Sequence, residues 1–356
     1  MGELSDGAIL AAIGLCGGLA LGLAARIGRF CTLGAIEDAL YGGDTNRLRM
    51  WAAALGASVI LAHLAAAGGV ADFETSIYNA LAWNPVASVT GGLLFGYGMA
   101  LAGNCGYGAL ARLGGGDLRS LVIVIVAGLA AAATLGGPLA STRATLFASD
   151  PAGDPNMRGM AADLSQIIGA PPLVFAIAIG GALLALAFSS AQFRQDRRSA
   201  IWAFVVAAAV VSGWIGTSWM AATSFEDVRA GSHTFTAPLA ETLFYLMTSS
   251  AGGLSFAVGS VTGVLAGACL GSIQKGHFRW EACDDPRELG RQILGAACMG
   301  VGGVVALGCS IGQGLTAFSA LAWSAPVTLA CIFVGAAIGL RQLIQGLPGF
   351  VPGGAP

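Results

Sequence analysis

The sequence predicts an all-α integral membrane protein, with about nine transmembrane helices plus re-entrant loops or half-helices in two pseudo-symmetric halves. Of the 356 residues, 56% are hydrophobic and only 10% are charged, against about 25% charged in an ordinary soluble domain. Nine apolar segments approach the roughly 20 residues that a helix needs to cross a bilayer. The alternation of apolar and polar residues that a membrane β-barrel requires is absent, so helices remain as the spanning structure.

The first apolar segment is predicted to be a retained helix. A secretory signal peptide has a basic region ahead of its apolar core, whereas Glu3 and Asp6 precede this one. The nine predicted spans are Ile9–Ala25, Trp51–Val70, Val86–Ala102, Leu118–Leu139, Pro172–Ser189, Ile201–Ala222, Ala251–Ile273, Gly290–Leu307 and Pro326–Leu343.

The charge pattern predicts the orientation of the chain. A net charge of −2 gives no reason to expect a nucleic-acid partner. By the positive-inside rule, the two basic loop clusters belong in the cytoplasm. Segments 141–169 and 225–241 then face the other side. The clusters comprise Arg194, Arg197 and Arg198, and Lys275, Arg279, Arg287 and Arg291.

A repeated motif predicts the two halves. Gly98 to Gly108 ends an apolar helix in Gly-Asn-Cys, and Gly303 to Gly312 ends one in Gly-Cys, and both continue as Cys-x-x-Gly. We therefore divide a single membrane domain, 1–356, into a first half 1–140, a central region 141–250 and a second half 251–356. A fainter echo joins 28–31 to 276–279. Such duplicated, interrupted helices are typical of secondary transporters.

Three cysteines in glycine-rich breaks form the predicted site: Cys31, Cys105 and Cys309. Non-helical backbone at membrane depth is tolerated where it is buried in protein or lines a cavity. Helices that begin after such breaks favour an anion, and a polarisable thiol suits a sulfur-containing one. The predicted companions are Arg29, Asn104, Ser310 and Gln313, with the loop glycines Gly103, Gly106, Gly108, Gly308 and Gly312.

The other candidate residues have simpler interpretations. We expect Cys16, Cys269, Cys298 and Cys331 to pack between helices, Cys283 to lie in a charged loop outside the site, and His63 to form local contacts. Thiolate metal sites usually need close pairs such as Cys-x-x-Cys, and none occurs. We therefore expect no metal and no cofactor.

Three motifs together resemble the YeeE/YedE family of bacterial sulfur-compound transporters: Arg29-Phe30-Cys31-Thr32, Gly103-Asn104-Cys105-Gly106, and the run from Gly302 to Gly314 around Gly308-Cys309-Ser310. The resemblance implies a bacterial inner-membrane protein in which loops meet centrally to form an hourglass-shaped path. It also implies thiosulfate as the substrate, passed along by S–H···S contacts to Cys31, Cys105 and Cys309. Related members are linked to other sulfur or selenium species, and some work beside a TusA-like sulfur-carrier protein.

Uptake of thiosulfate or a related anion is thus the expected function, and the chain is not expected to be an enzyme. The alternative is a membrane sulfurtransferase or redox protein that forms a covalent persulfide, or a transporter of selenium or another sulfur species. No base or resolving partner for a reactive thiol is visible in the sequence, which favours transport. A passive structural subunit is the third alternative.

Overall fold

A computed structural model describes residues 5–147, 159–224, 227–249, 253–282 and 285–345. Within these ranges the protein is all-α, and the only strand-like feature is an isolated bridge between Asp117 and Glu281. The predicted fold class is therefore confirmed. The long helices are α1 (Asp6–Arg26), α3 (Asn46–Ala67), α5 (Pro85–Ala102), α7 (Leu118–Leu135), α10 (Pro172–Phe188), α12 (Arg197–Thr223), α14 (Phe256–Gln274), α15 (Pro286–Val305) and α16 (Ser324–Gln345).

Shorter helices fill the connections. The segment predicted as one long loop, 141–169, contains two of them, and its residues 148–158 lie outside the described part of the chain. The short helices are α2 (Thr32–Glu37), α4 (Ile77–Ala80), α6 (Gly106–Leu113), α8 (Ala140–Leu146), α9 (Met160–Ile168), α11 (Ala191–Gln195) and α13 (Ala237–Thr248). Two π-helical stretches, Asp38–Gly42 and Gly312–Ala317, complete the set.

Seven helical segments in the described ranges are long and apolar enough to cross a membrane, which makes the protein a multi-pass membrane protein. Two of the nine predicted spans stay predictions. Helix α10 is apolar but has 17 residues. Helix α15 has 20 residues but carries Arg287, Glu288 and Arg291 in its first two turns.

Glycines let the long helices pack at very short distances. On α1, a Cβ at Gly14, Gly18 or Gly22 would collide with a backbone carbonyl oxygen of α14, and a Cβ at Gly96 on α5 would collide with one of α16. Lipid gives helices little reason to associate, so this close backbone approach provides much of the cohesion in a bilayer. The small-xxx-small spacings Gly14-x-x-x-Gly18-x-x-x-Gly22 and Gly92-x-x-x-Gly96 therefore serve close helix packing.

Both basic clusters lie at one end of the helix bundle. The Arg198 side chain donates to the carbonyl of Ile27 at 2.8 Å, and the Lys275 ammonium donates to the carbonyl of Arg26 at 2.9 Å. Clusters far apart in sequence therefore meet beneath the end of α1. By the positive-inside rule we expect this end, hereafter the basic end, to face the cytoplasm.

Candidate functional site

Each of the three predicted cysteines begins a helical segment and caps its first turn. The sulfur of Cys31 accepts the backbone N–H of Gly34 at 3.5 Å. Cys105 and Cys309 do the same for Gly108 and Gly312, both at 3.4 Å. An N-cap side chain satisfies a backbone donor that the helix itself leaves free. Since the backbone N–H occupies a lone pair on each sulfur, the S–H proton is available to another acceptor.

Two positions before each cysteine, the backbone adopts the left-handed conformation with positive φ. Arg29 has φ 59°, Gly103 has φ 76° and Leu307 has φ 57°. Only glycine adopts this conformation without strain, so Gly103 is explained by its backbone. At all three sites the turn stops one helix and aims the next one, which places the cysteine between them.

The breaks from the two sequence halves touch at their cysteines. The hydroxyl of Thr32 donates to that of Ser310 at 3.1 Å, which joins the residues directly after Cys31 and Cys309. Ser310 also interacts with the Cys105 thiol, which lies within electrostatic range of the other two. Cys105 and Cys309 are each only 1% exposed. The three thiols therefore form one group, in which Cys105 and Cys309 are buried and Cys31 is partly buried. We call this group the cysteine centre.

A fourth segment, 232–236, enters the same centre and was missed by sequence reasoning. Its backbone N–H at Phe235 donates to the Cys309 sulfur at 3.3 Å, and the Thr234 hydroxyl lies 3.8 Å from the same atom. Tyr78 in turn forms a hydrogen bond with Thr234. Burial, ahead of the nearby Cys309 thiol, raises the pKa of the Tyr78 phenol, so this hydroxyl is neutral. The polar run Ser-His-Thr before α13 was the only sequence signal.

Asn104 holds a buried amide beside the cysteines. Its side chain is 2% exposed, and neither its oxygen nor its nitrogen has a hydrogen-bond partner among the described residues. Such orphaned polar atoms are uncommon in folded proteins. Asn104 lines a cavity together with Cys31 and Arg29, so an unpaired buried amide lies beside a space that a ligand could occupy.

Gln313 lies near the site, and its side chain forms hydrogen bonds that connect two neighbouring segments of the protein. Its amide nitrogen donates to the carbonyl of Ala306 at 2.7 Å, just past the last residue of α15. Its amide oxygen accepts from the Ser324 hydroxyl at 3.2 Å. With its oxygen and nitrogen both bonded to protein, Gln313 joins the end of α15 to the start of α16. It fixes the Cys309 turn, and a direct contact of Gln313 with the substrate stays a prediction.

The remaining loop glycines provide clearance. A Cβ at Gly312 would collide with the Thr234 hydroxyl, and one at Gly106 would lie 3.3 Å from the Phe235 carbonyl oxygen. A Cβ at Gly108 would lie 3.2 Å from that of Asn104, and one at Gly308 would lie 3.2 Å from Gln313. These contacts allow the fourth segment and the Cys105 and Cys309 breaks to approach closely.

A cavity of about 400 Å³ leads from the basic end to the cysteine centre. We call it the inner vestibule. Burial, followed by the guanidiniums of Arg198, Arg29 and Arg26, lowers the pKa of the Lys275 ammonium at its wall. A second cavity of about 320 Å³ lies at the opposite end, lined by Leu307, Arg143 and Trp83. We call it the outer vestibule.

The other predicted residues stand apart from this centre. The Cβ atoms of Cys298 and Cys331 pack against Gly98 and Gly92, which confirms their packing role, whereas Cys16 is exposed on α1. Cys283 lies outside the described residues. His63 bonds the Val59 carbonyl of its own helix at 3.0 Å, as expected of a local contact.

The faint echo of the Cys31 turn does not reach the centre. Segment 276–281 instead bonds the backbone near α7, with Arg279 donating to the carbonyl of Gly115 at 3.2 Å and Glu281 to that of Gly116 at 3.0 Å. Among the residues that the structure describes, no three His, Cys, Asp or Glu side chains are grouped closely enough to hold a metal ion.

Comparison with known proteins decides the family. The model of the family described as Sulphur transport matches residues 27–338, which include all three cysteine breaks. The chain belongs to this family. The matched region begins within the Cys31 turn and ends inside α16, so membership covers the whole cysteine centre and confirms the resemblance seen in the motifs.

Two curated relatives are similar along nearly their whole length. The thiosulfate transporter TsuA of Spirochaeta thermophila is 26% identical over 334 residues, covering 90% of this chain and 94% of the relative. The thiosulfate transporter TsuA of Escherichia coli is 27% identical over 338 residues, covering 90% and 91%.

Proposed function

We propose that this protein transports thiosulfate or a closely related sulfur-containing anion across the bacterial inner membrane, and that Cys31, Cys105 and Cys309 line the path. The observation that carries the proposal is the meeting of three helix-capping thiols between two vestibules at opposite ends of the protein. Family membership and the two TsuA relatives support the choice of substrate.

The geometry suggests how the thiols act. Because each sulfur already accepts a backbone N–H, its own S–H proton is free to donate to the terminal sulfur of the anion. Sulfur is a weak acceptor and S–H a weak donor, so each contact is weak. Conduction requires binding that is favourable enough for the ion to enter and weak enough for it to leave. A relay of three weak sites meets both requirements.

The helical segments that follow Cys105 and Cys309 add charge complementarity. Helix α6 has eight residues, and the helical run after Cys309 extends from Ser310 to Ser319. The N-terminal end of a helix carries partial positive charge. Two such ends at the cysteine centre favour an anion there without placing a charged side chain inside the membrane.

Uptake of labelled thiosulfate into proteoliposomes tests the proposal. Transport should be lost on Cys105→Ala or Cys309→Ala and retained on Cys16→Ala, an exposed thiol outside the path and therefore a matched control. Competition by sulfate, sulfite and selenite will define the anion. Wild-type uptake by both path variants would overturn the cysteine route. We also expect a TusA-like sulfur carrier on the cytoplasmic side, to be checked by co-purification.

A further inference from the structure

The inner vestibule carries an excess of positive charge. Five cations line it, against the single acidic side chain of Glu37; they are Arg26, Arg29, Arg47, Arg112 and Lys275. A concave surface lined by one sign of charge concentrates counter-ions. The imbalance is large for a cavity of about 400 Å³.

Three of these cations are held in place by the protein. The Arg26 side chain donates to the Ser272 hydroxyl at 2.6 Å, and Arg47 forms an ion pair with Asp38 at 3.2 Å. Lys275 is held by the carbonyl of Arg26 at the end of α1. Their positions are fixed by these bonds. Asp38 offsets the charge of Arg47, whereas Arg26 and Lys275 bond neutral partners and contribute their full charge to the cavity wall.

Arg29 and Arg112 are different. Neither guanidinium has a hydrogen bond or an acidic partner in the described part of the chain, and both are exposed to the cavity. A guanidinium offers five N–H donors in a planar fork that matches an oxyanion with two contacts. These two side chains are therefore available to a ligand.

Asn104 supplies an independent observation at the floor of the same cavity. Its amide is 98% buried, as its 2% exposure shows, and both polar atoms lack a partner among the described residues. A buried amide without a partner is unfavourable by about 1–3 kcal/mol. A ligand oxygen that accepts from the amide nitrogen would remove part of this penalty.

We propose that the inner vestibule is a second anion site, which holds a small divalent oxyanion through Arg29, Arg112 and Asn104 on the cytoplasmic side of the cysteine centre. The existence of the site follows from the cavity, whereas the choice of thiosulfate as its natural occupant rests on the proposed function. Sulfate and phosphate share the recognised chemistry. An anion in this site lies directly beyond Cys31, where an ion leaving the relay would be received.

Binding of labelled thiosulfate to the purified full-length protein in detergent tests the proposal. The background should be the Cys105→Ala/Cys309→Ala double variant, which removes the relay and leaves the vestibule. We expect this background to retain binding that weakens as ionic strength rises. Adding Arg29→Gln or Arg112→Gln should weaken binding about tenfold each, the loss expected for a charge-assisted hydrogen bond. Asn104→Leu, which keeps the branched shape of the side chain and removes its polar atoms, should weaken it as well.

Arg341→Gln is the matched control. Arg341 lies at the same end of the bundle, is exposed and, among the described residues, bonds only Gln345 at 2.9 Å. Its loss therefore changes the net charge without altering the cavity. Unchanged binding in both vestibule variants, or equal weakening by Arg341→Gln, would overturn the proposal. Size-exclusion profiles identify any variant that fails to fold. If one of the two arginine variants fails, the other one, together with the salt dependence of binding, tests the proposal.

The two proposals fail separately. If wild-type proteoliposomes do not take up thiosulfate, the proposed transport function is refuted. Labelled phosphate or sulfate that binds in an Arg29- and Arg112-dependent manner would still support the vestibule site. Conversely, normal uptake together with no saturable binding in the relay-deficient background would refute only the second site.

Discussion

Replacing the three site cysteines one at a time should lower stability by unequal amounts. The sulfur of Cys309 accepts two backbone N–H groups, from Phe235 at 3.3 Å and Gly312 at 3.4 Å, whereas Cys105 accepts one. Both are 1% exposed, so water cannot replace the lost sulfur. Both alanine variants lose the burial of the sulfur. The difference between their free energies of unfolding therefore measures the effect of the second N–H group at Cys309.

The magnitude follows from the number of donors left unpaired. A buried donor without an acceptor is unfavourable by about 1–3 kcal/mol, and the lower figure suits a weak acceptor such as sulfur. Beyond the lost burial of the sulfur that both share, we therefore expect Cys309→Ala to destabilise by about 2 kcal/mol and Cys105→Ala by about 1 kcal/mol. Cys31→Ala should have the smallest effect, because Cys31 accepts one N–H and is only partly buried.

Serine separates stability from transport. A serine hydroxyl is a good N-cap acceptor, so Cys309→Ser should recover most of the stability lost in Cys309→Ala. It lacks the polarisable S–H, so we expect no recovery of thiosulfate uptake. Thermal unfolding in detergent measures the first effect and proteoliposome uptake the second. Equal destabilisation by all three alanine variants would refute the capping argument, and full uptake by Cys309→Ser would refute the need for sulfur.

Three further outcomes are expected. Gly18→Ala should lower membrane abundance, because its Cβ collides with the backbone of α14, whereas Gly181→Ala, with open space around it, should not; quantitative immunoblotting compares the two. Asp196 caps α12, and the Ser199 hydroxyl and N–H hold the pKa of its carboxyl below the usual value. Asp196→Ala should therefore destabilise the protein by about 1 kcal/mol at neutral pH. The difference in stability between wild type and variant should shrink as the pH falls through the lowered pKa of Asp196 in the folded state. Unfolding at several pH values measures this difference. Intact-mass spectrometry after thiosulfate exposure should show no added sulfur on the wild-type protein; a stable adduct would favour the sulfurtransferase.

The sequence was sufficient for the long helices and for the positions of the three cysteine breaks, because both leave local signals. Apolar runs of bilayer length mark the spans, and glycine beside cysteine marks each interruption. Boundaries moved where capping decides them: the span predicted as Gly290–Leu307 begins at Pro286, because Asp285 caps α15. A hydropathy pattern does not detect a cap of this kind.

The fourth segment escaped sequence reasoning for a physical reason. Its contribution to the site is the backbone N–H of Phe235, which every residue except proline possesses, and its partner Cys309 lies 74 positions away. Nothing in the side chain marks such a contact. Gln313 shows the limit of sequence reasoning in another way, since its two bonds to protein, which brace the Cys309 turn, are not visible in the sequence.

Backbone strain distinguishes the ends of the path. The left-handed conformation is unfavourable by about 1–2 kcal/mol for a residue with a side chain, and glycine would remove that strain at all three turns. Glycine occurs only at Gly103, whereas the strained turns retain Arg29 and Leu307. Both side chains face a vestibule, Arg29 the inner one and Leu307 the outer one.

Strain retained at such positions indicates that the side chain contributes something glycine lacks. At the inner end that contribution is charge, and at the outer end an apolar wall beside Arg143. The two similar turns therefore present different surfaces to an anion, a charged one at the inner mouth and an apolar one at the outer mouth.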